Sequence, residues 1–237
     1  MPPRAAASPA PPGALPAGPA APGADALLAG PAPDGPAADD APGPAPADPR
    51  QRLVAGMAQA LEQRRYAELT IADVVAAAAV SRRTFYEHFD GKAACFIALY
   101  EASGARCLAA LRGAVDAARP WHSQVRQAVA AYLGTMAADP ALTRTLLVEV
   151  MQLGPPGLAA RRRVHAALAG WIGAVISGSP GRRHPLPPAL ALALVGGLHE
   201  LVLERLEAGP GDGVAGLVDT ATDWVLRVAA DTAAPGG

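Results

Sequence analysis

From Pro49 onward, large apolar side chains recur every three or four positions, the spacing that gives an α-helix one buried stripe. Asp48 before Pro49 predicts where the first helix starts: a carboxylate caps the free amides and proline suits the first helical position. Leu53, Met57, Ala60 and Leu61 form its stripe, and it is expected to run to about Arg65. Thr70 opens a second helix, with Asp73 three residues on in a capping-box-like arrangement, and Ile71, Val74, Val75 and Ala78 facing inward. Ser81 caps a third, short helix that ends near Phe89. A fourth, long helix is expected from Asp90 or Gly91 to about Ala118, carrying Phe96, Leu99, Tyr100, Leu108 and Leu111.

Pro120 interrupts the pattern. Beyond it lie amphipathic segments at about 121–138, 140–153, 156–178, 186–208 and 212–231. They are separated by Asp139-Pro140, Gly154-Pro155-Pro156, the stretch from Ser177 to Pro188, and Gly209-Pro210-Gly211. No segment alternates with the period of two expected of a strand. The pattern predicts an all-α chain of about nine helices, without internal repeats.

The short third helix holds the most specific chemistry. Residues 70–92 read TIADVVAAAAVSRRTFYEHFDGK, two helices separated by a turn of about three residues, which is helix-turn-helix spacing. At about 100° per residue, Phe85 and Phe89 share one face while Arg83 and Glu87 point the opposite way. Arg82 and Tyr86 fall on one flank, Thr84 and His88 on the other. A helix in the major groove needs this division between an apolar back and donor-rich flanks. Either Arg82 or Arg83 can make the bidentate guanine contact, worth roughly 1–3 kcal/mol of discrimination. Thr84, Tyr86, His88 and the caps Ser81 and Thr70 have the chemistry for phosphate oxygens. Lys92 is the only lysine, and it sits at a helix N-terminus, where a cation opposes the macrodipole unless a phosphate lies there too. Each residue also has a plainer use: Arg83 and Glu87 as a solvated i,i+4 pair, Tyr86 packed on the next helix, His88 at a rim.

The stretch from about Arg50 to Tyr100 resembles the DNA-binding domain of TetR-family transcriptional regulators. The resemblance rests on Thr70-Ile71-Ala72-Asp73-Val74, Val80-Ser81, Thr84-Phe85-Tyr86, His88-Phe89 and Lys92. It implies that Thr84, Tyr86, His88 and Lys92 meet phosphates and that Arg82 and Arg83 read or flank bases. It also implies a larger C-terminal domain that binds a small molecule and dimerises, and a palindromic double-stranded DNA operator as partner. One departure is Ala79, where the family often has glycine at the turn; alanine loses the easy positive φ, so a slightly different turn geometry is expected.

The expected organisation is a Pro/Ala/Gly-rich disordered tail over 1–48, a helix-turn-helix domain over 49–95, a helical effector-binding and dimerisation domain over 96–232, and a disordered end over 233–237. Of the first 49 residues, 38 are Pro, Gly or Ala, too few large apolar groups to offset the entropy of ordering them. The whole chain of 237 residues has a formal charge of −1, of which the first 49 residues hold −4, leaving +3 for the remainder. The near-neutral total therefore says little about nucleic acid, because the location of the charge decides. No run of side chains reaches the ~18–20 apolar residues of a membrane span, and the N-terminus lacks a compact secretory stretch, so the expected place is the cytoplasm, without a membrane.

Residues 189–203 read ALALALVGGLHELVL, apolar nearly all round, and predict a helix buried on more than one face. Gly196-Gly197 would admit another helix closely, and the last helix repeats Val214, Leu217, Val218, Ala221, Trp224, Val225 and Val228. Two such helices from each subunit would build a four-helix homodimer interface, although a monomeric core is the alternative. Trp121, His122, Tyr132, Met136, Leu147, Met151, Trp171 and His199 are candidates for a largely apolar effector pocket, with His199-Glu200 as a polar anchor. Ordinary core packing is the competing reading for each. Arg161-Arg162-Arg163 suits a pocket entrance, the DNA side or a solvated surface.

The rival classes are an all-α enzyme and a helical ligand-binding module without DNA contact. No catalytic, cofactor or metal set is expected: Cys95 and Cys107 stand twelve positions apart on one helix, the five histidines are scattered, and the glycines sit beside prolines rather than in a phosphate loop. Arg82, Arg83, Tyr86 and Lys92 favour the DNA-binding reading over the module.

Overall fold

The computed structural model describes residues 48–179, 184–209 and 213–230. The tails expected over 1–48, Asp48 apart, and over 233–237 lie outside the described residues. Among the described residues every regular element is helical: α1 Pro49–Gln63, α2 Ile71–Ala77, α3 Arg82–His88, α4 Lys92–Ala114, α5 Trp121–Ala137, α6 Pro140–Gln152, α7 Gly154–Ser177, α8 Pro188–Glu207 and α9 Val218–Ala229.

The caps explain the starts. The Asp48 carboxylate accepts from the Arg50 amide, and Pro49 occupies the first turn of α1. Thr70 Oγ1 accepts from the Asp73 amide while the Asp73 carboxylate accepts from the Thr70 amide, so both orphan donors of α2 are satisfied. Ser81 Oγ accepts from the Thr84 amide at 3.0 Å and begins α3. Asp139 caps α6 through the Leu142 amide.

The ends depart from the sequence pattern in three places. Helix α4 stops at Ala114, about one turn short of the expected Ala118. There Asp116 turns the backbone aside: its carboxylate accepts from the Ala118 amide, and its carbonyl accepts from the Arg119 amide. Gly154-Pro155-Pro156 does not make a loop, because the prolines occupy the first turn of α7 and only Leu153 separates α6 from α7. The last segment opens with a 3-10 turn, Val214–Leu217, before α9 begins.

Two apolar cores share α4. The first joins α1–α3 and the N-terminal part of α4, with Leu53, Met57, Val74, Phe85 and Phe96 fully buried. Leu146, Val150 and Ala160 reach into it from α6 and α7, so the N-terminal helices are seated on the C-terminal ones. The second core gathers α5, α7, α8 and α9 around Leu111, with Leu133, Leu168, Leu194, Val202 and Ala221 at its centre. Helix α4 is long and apolar enough to cross a membrane by length and composition, although charges interrupt its apolar run. Its charged Lys92, Glu101, Arg106 and Arg112 and its packing between the two cores give that apolarity another use.

Candidate nucleic-acid interface and ligand cavity

Helix α3 is held by its two phenylalanines. Phe85 is wholly buried, Phe89 nearly so, and their ring centroids lie 5.8 Å apart. Ser81, Arg82, Arg83, Tyr86, Glu87 and His88 are all exposed and Thr84 is half-buried, as the helical wheel requires. Tyr86 stands out from the surface at 54% exposure with its ring edge against Phe85, so it does not pack on the next helix. Arg83 Nε donates to the Glu87 carboxylate at 3.0 Å, with the Arg83 side chain 90% exposed. That exposed pair is worth little in water and yields readily to a stronger partner. Ser81 and Thr84 share a hydrogen bond of 2.9 Å between hydroxyls beside the exposed face. Thr70 is exposed at the start of α2 and bonded to Asp73, which lowers the Asp73 carboxyl below its usual value.

The turn before α3 keeps the left-handed backbone expected of glycine. Ala79 has φ 50°, the one non-glycine residue with positive φ among those described. The Val80 amide donates to the Val75 carbonyl and the Ala79 amide to the Ala76 carbonyl, a Schellman end in which alanine fills the glycine position. Alanine adopts the left-handed backbone here and bears its strain.

Lys92, expected to meet a phosphate, also makes contacts within the chain. Its ammonium points inward and donates to the Tyr66 and Leu69 carbonyls, each at 2.8 Å, and it lies 4.4 Å from the centre of the Tyr66 ring. The unfavourable position at a helix N-terminus is thus offset by carbonyls of the α1–α2 turn. A cation that the sequence reading did not single out lies beside α3 on the outer surface. Exposed Arg50, in the first turn of α1, holds its guanidinium 5.3 Å from the centre of the Phe89 ring. The only sequence signal was an arginine in a first turn, which does not reveal that α1 begins beside α3.

The pocket candidates divide between two cavities. One is lined almost wholly by apolar groups from α4, α5, α7, α8 and α9, among them Trp121, Tyr132 and Trp171. The other lies between α4, α5, α6, α7 and α8 and includes Tyr132, Met136, Leu147 and His199. Tyr132 lines both. Met151 lines neither: it is 44% exposed on α6, since its face of that helix looks outward. His122 is exposed, and so is Glu200 beside the buried His199.

Buried polar groups meet at the second cavity. The Tyr132 hydroxyl and His199 Nε2 are 2.7 Å apart, and the His165 ring meets His199 edge-on at 4.7 Å. Burial holds His199 down to about 3, helped by His165 and Arg161, and it holds His165 down to about 4 with help from Arg161. Both imidazoles are therefore neutral near pH 7.

Residues 53–99 match the family model of bacterial regulatory proteins, tetR family. Over that stretch the chain is similar to the N-terminal domain of the tetR family. Its fold is shared with solved tetR-type regulators at low sequence identity. A putative TetR-family transcriptional regulator from Syntrophomonas wolfei is 14% identical, with TM-score 0.63 over 79% of this chain and 98% of that one. The fatty acid degradation regulator FadR from Bacillus halodurans is 16% identical, with TM-score 0.62 over 75% and 94%. FadR from Bacillus subtilis, solved in complex with stearoyl-CoA, is 12% identical, with TM-score 0.60 over 75% and 98%. A comparison with curated protein sequences found no match. The family and these structural neighbours are transcriptional regulators.

Proposed function

We propose that this chain is a homodimeric, sequence-specific DNA-binding repressor that a small, largely apolar effector releases from its operator. The observation that carries the reading is α3: Phe85 and Phe89 fix its back while Arg82, Arg83, Tyr86 and His88 stand in solvent. In this reading Arg82 and Arg83 meet base edges. Thr70, Ser81, Thr84, Tyr86 and His88 meet phosphates, joined by Arg50, and Lys92 braces the turn behind them. Residues 49–95 carry DNA binding and residues 96–232 effector binding and dimerisation, with α4 joining the two. The apolar cavity lined by Trp121, Trp171 and Tyr132 supports an apolar effector.

Dimerisation is supported by an uncovered face of α8. Leu190 and Leu192 are 44% and 48% exposed, Ala189 and Ala193 are exposed, and a Cβ on Gly196 would meet nothing within 4 Å. Beside it, Ala166, Gly170 and Gly173 of α7 line a groove open to the surface. Helix α9 lays much of its apolar stripe on the core of its own chain, with Val218, Trp224 and Val228 only partly covered. A second copy would therefore pack on α7 and α8, placing two α3 helices one DNA turn apart, ~34 Å.

The test is a gel shift on DNA upstream of the protein's own gene, followed by selection of bound sites from a random pool. A retarded, pseudo-palindromic site is expected. Failure to retard any genomic fragment specifically would overturn the reading in favour of a ligand-binding module or an enzyme. The effector would act by differential affinity for the two forms, so it should lower DNA affinity by the same factor by which DNA lowers its own.

A further inference from the structure

Two arginines stand side by side at the start of α3, and the structure treats them differently. Arg82 makes no hydrogen bond or ion pair among the described residues, whereas Arg83 is tied to Glu87 one turn further on. Arg83 and Glu87 share the face of α3 turned away from buried Phe85 and Phe89. With the helix seated in a major groove, that face looks at base edges and the flanks look at phosphates.

The bond runs from Arg83 Nε to Glu87 Oε1, at 3.0 Å. A guanidinium also carries hydrogens on both Nη atoms, and among the described residues those of Arg83 donate to nothing. Arg163 on α7 differs: its Nε and its Nη2 both donate to Glu101. Arg83 thus keeps the end-on pair of donors that matches O6 and N7 of guanine, while its inner nitrogen is held by the carboxylate.

A long side chain loses rotamer freedom when it docks, so one already steered by a neighbour loses less. The pair is weak in water, with both side chains more than half exposed. Against a duplex, water is displaced and the same attraction strengthens. A guanine has no need to displace the carboxylate, because it uses the other nitrogens. A phosphate meets the opposite situation: the charge of Glu87 repels it and draws Arg83 away from it. The carboxylate therefore lowers affinity for DNA at large while sharpening the choice that Arg83 makes.

We infer that Glu87 is a positioning residue: by holding Arg83 at Nε it aims both Nη groups at O6 and N7 of one guanine, and it withholds Arg83 from phosphates where that guanine is absent. The inference rests on the DNA-binding reading above and names the residue that gives Arg83 its base preference.

The test uses the full chain. Sites are selected from a random DNA pool by the parent and by Arg83→Ala, Glu87→Ala and Glu87→Gln, at a temperature where circular dichroism shows all of them folded. Arg83→Ala marks the position that Arg83 reads, expected to be a guanine. Glu87→Ala should cut the guanine preference at that same position about fivefold, part of what a bidentate contact supplies. It should also bind unrelated DNA about threefold more tightly, since a negative charge has left the face. Glu87→Gln keeps an oxygen for the Nε hydrogen, so it should retain more of the guanine preference than Glu87→Ala while binding unrelated DNA more tightly than the parent. An unchanged guanine preference in Glu87→Ala would overturn the inference. So would relaxation at a cytosine instead, which would make Glu87 a reader in its own right, or weaker binding of unrelated DNA. A parent that selects no site removes the DNA-binding reading together with the inference; a parent with a defined site and a Glu87→Ala variant of unaltered preference removes the inference alone.

Discussion

A Cβ on Gly197 would stand 2.3 Å from Cη2 of Trp224, so α8 lacks a side chain where the indole of α9 lies against it. The neighbouring Gly196 meets nothing within 4 Å inside the chain. The paired glycines, alike in sequence, therefore serve different neighbours. Gly197→Ala gains about 1 kcal/mol of helix propensity but pushes a rigid ring, an overpacking cost of roughly 1–3 kcal/mol. Net destabilisation of about 1 kcal/mol is expected, read by urea unfolding. Gly196→Ala should stabilise an isolated protomer by up to about 1 kcal/mol. If a second copy packs on this face, the same change should weaken the dimer in analytical ultracentrifugation. A dimer unaffected by Gly196→Ala would place the interface elsewhere.

Ala79→Gly should stabilise the protein. A left-handed alanine costs roughly 1–2 kcal/mol, and glycine returns about 0.4–1 kcal/mol through the greater freedom of the unfolded chain. Ala79 is exposed, so its methyl forfeits little packing. A gain of up to about 1 kcal/mol is expected, visible as a raised Tm with the gel shift unchanged. A Tm at or below that of the parent would show that the surrounding turn relaxes the strain.

What the sequence revealed was local. Asp48, Thr70 with Asp73, and Ser81 each bond amides two or three residues away, so their caps follow from spacing alone. Phe85 and Phe89 are one turn apart, and their shared face needs only the helical period. Features that depend on distant partners were not legible. Lys92 reaches Tyr66, 26 positions earlier, and Tyr132 reaches His199, 67 positions later. Met151 has the composition of a pocket wall, but the packing of α6 turns it outward. The early end of α4 was hidden for another reason: Asp116 is tolerated in a helix, yet its carboxylate competes for the backbone once the chain must turn toward Pro120.

The buried histidines make stability depend on pH. His165 and His199 are held at about 4 and about 3, chiefly by burial, while the unfolded chain takes up protons near 6.5. Their folded values are depressed, so their contribution is complete above about 6.5 and is lost as pH falls toward 4 and 3. The slope is at most about 1.4 kcal/mol per pH unit for each histidine. Urea midpoints should therefore fall between about pH 7 and pH 5. His165→Asn with His199→Asn should flatten that fall, provided the variant still folds by circular dichroism. A parent midpoint flat across this interval would mean that these rings are more hydrated than their burial implies.

Lys92 and Arg83 separate support from recognition. The Lys92 ammonium is engaged by two carbonyls, whereas the Arg83 guanidinium is exposed and, among the described residues, held by Glu87 alone. Lys92→Met leaves the Tyr66 and Leu69 carbonyls without their donor and should cost about 1–3 kcal/mol of folding stability. At a temperature where the variant is folded, the slope of log K against log salt should match the parent, because no phosphate contact is removed. Arg83→Ala should leave stability within about 0.5 kcal/mol, since the lost pair is exposed. Its effect belongs to binding: a loss of roughly 1–3 kcal/mol on the best site, with base preference relaxed at one position of each half-site. A drop of about one in the salt slope for Lys92→Met would return its ammonium to the DNA surface, and unaltered base preference in Arg83→Ala would leave the reading to Arg82.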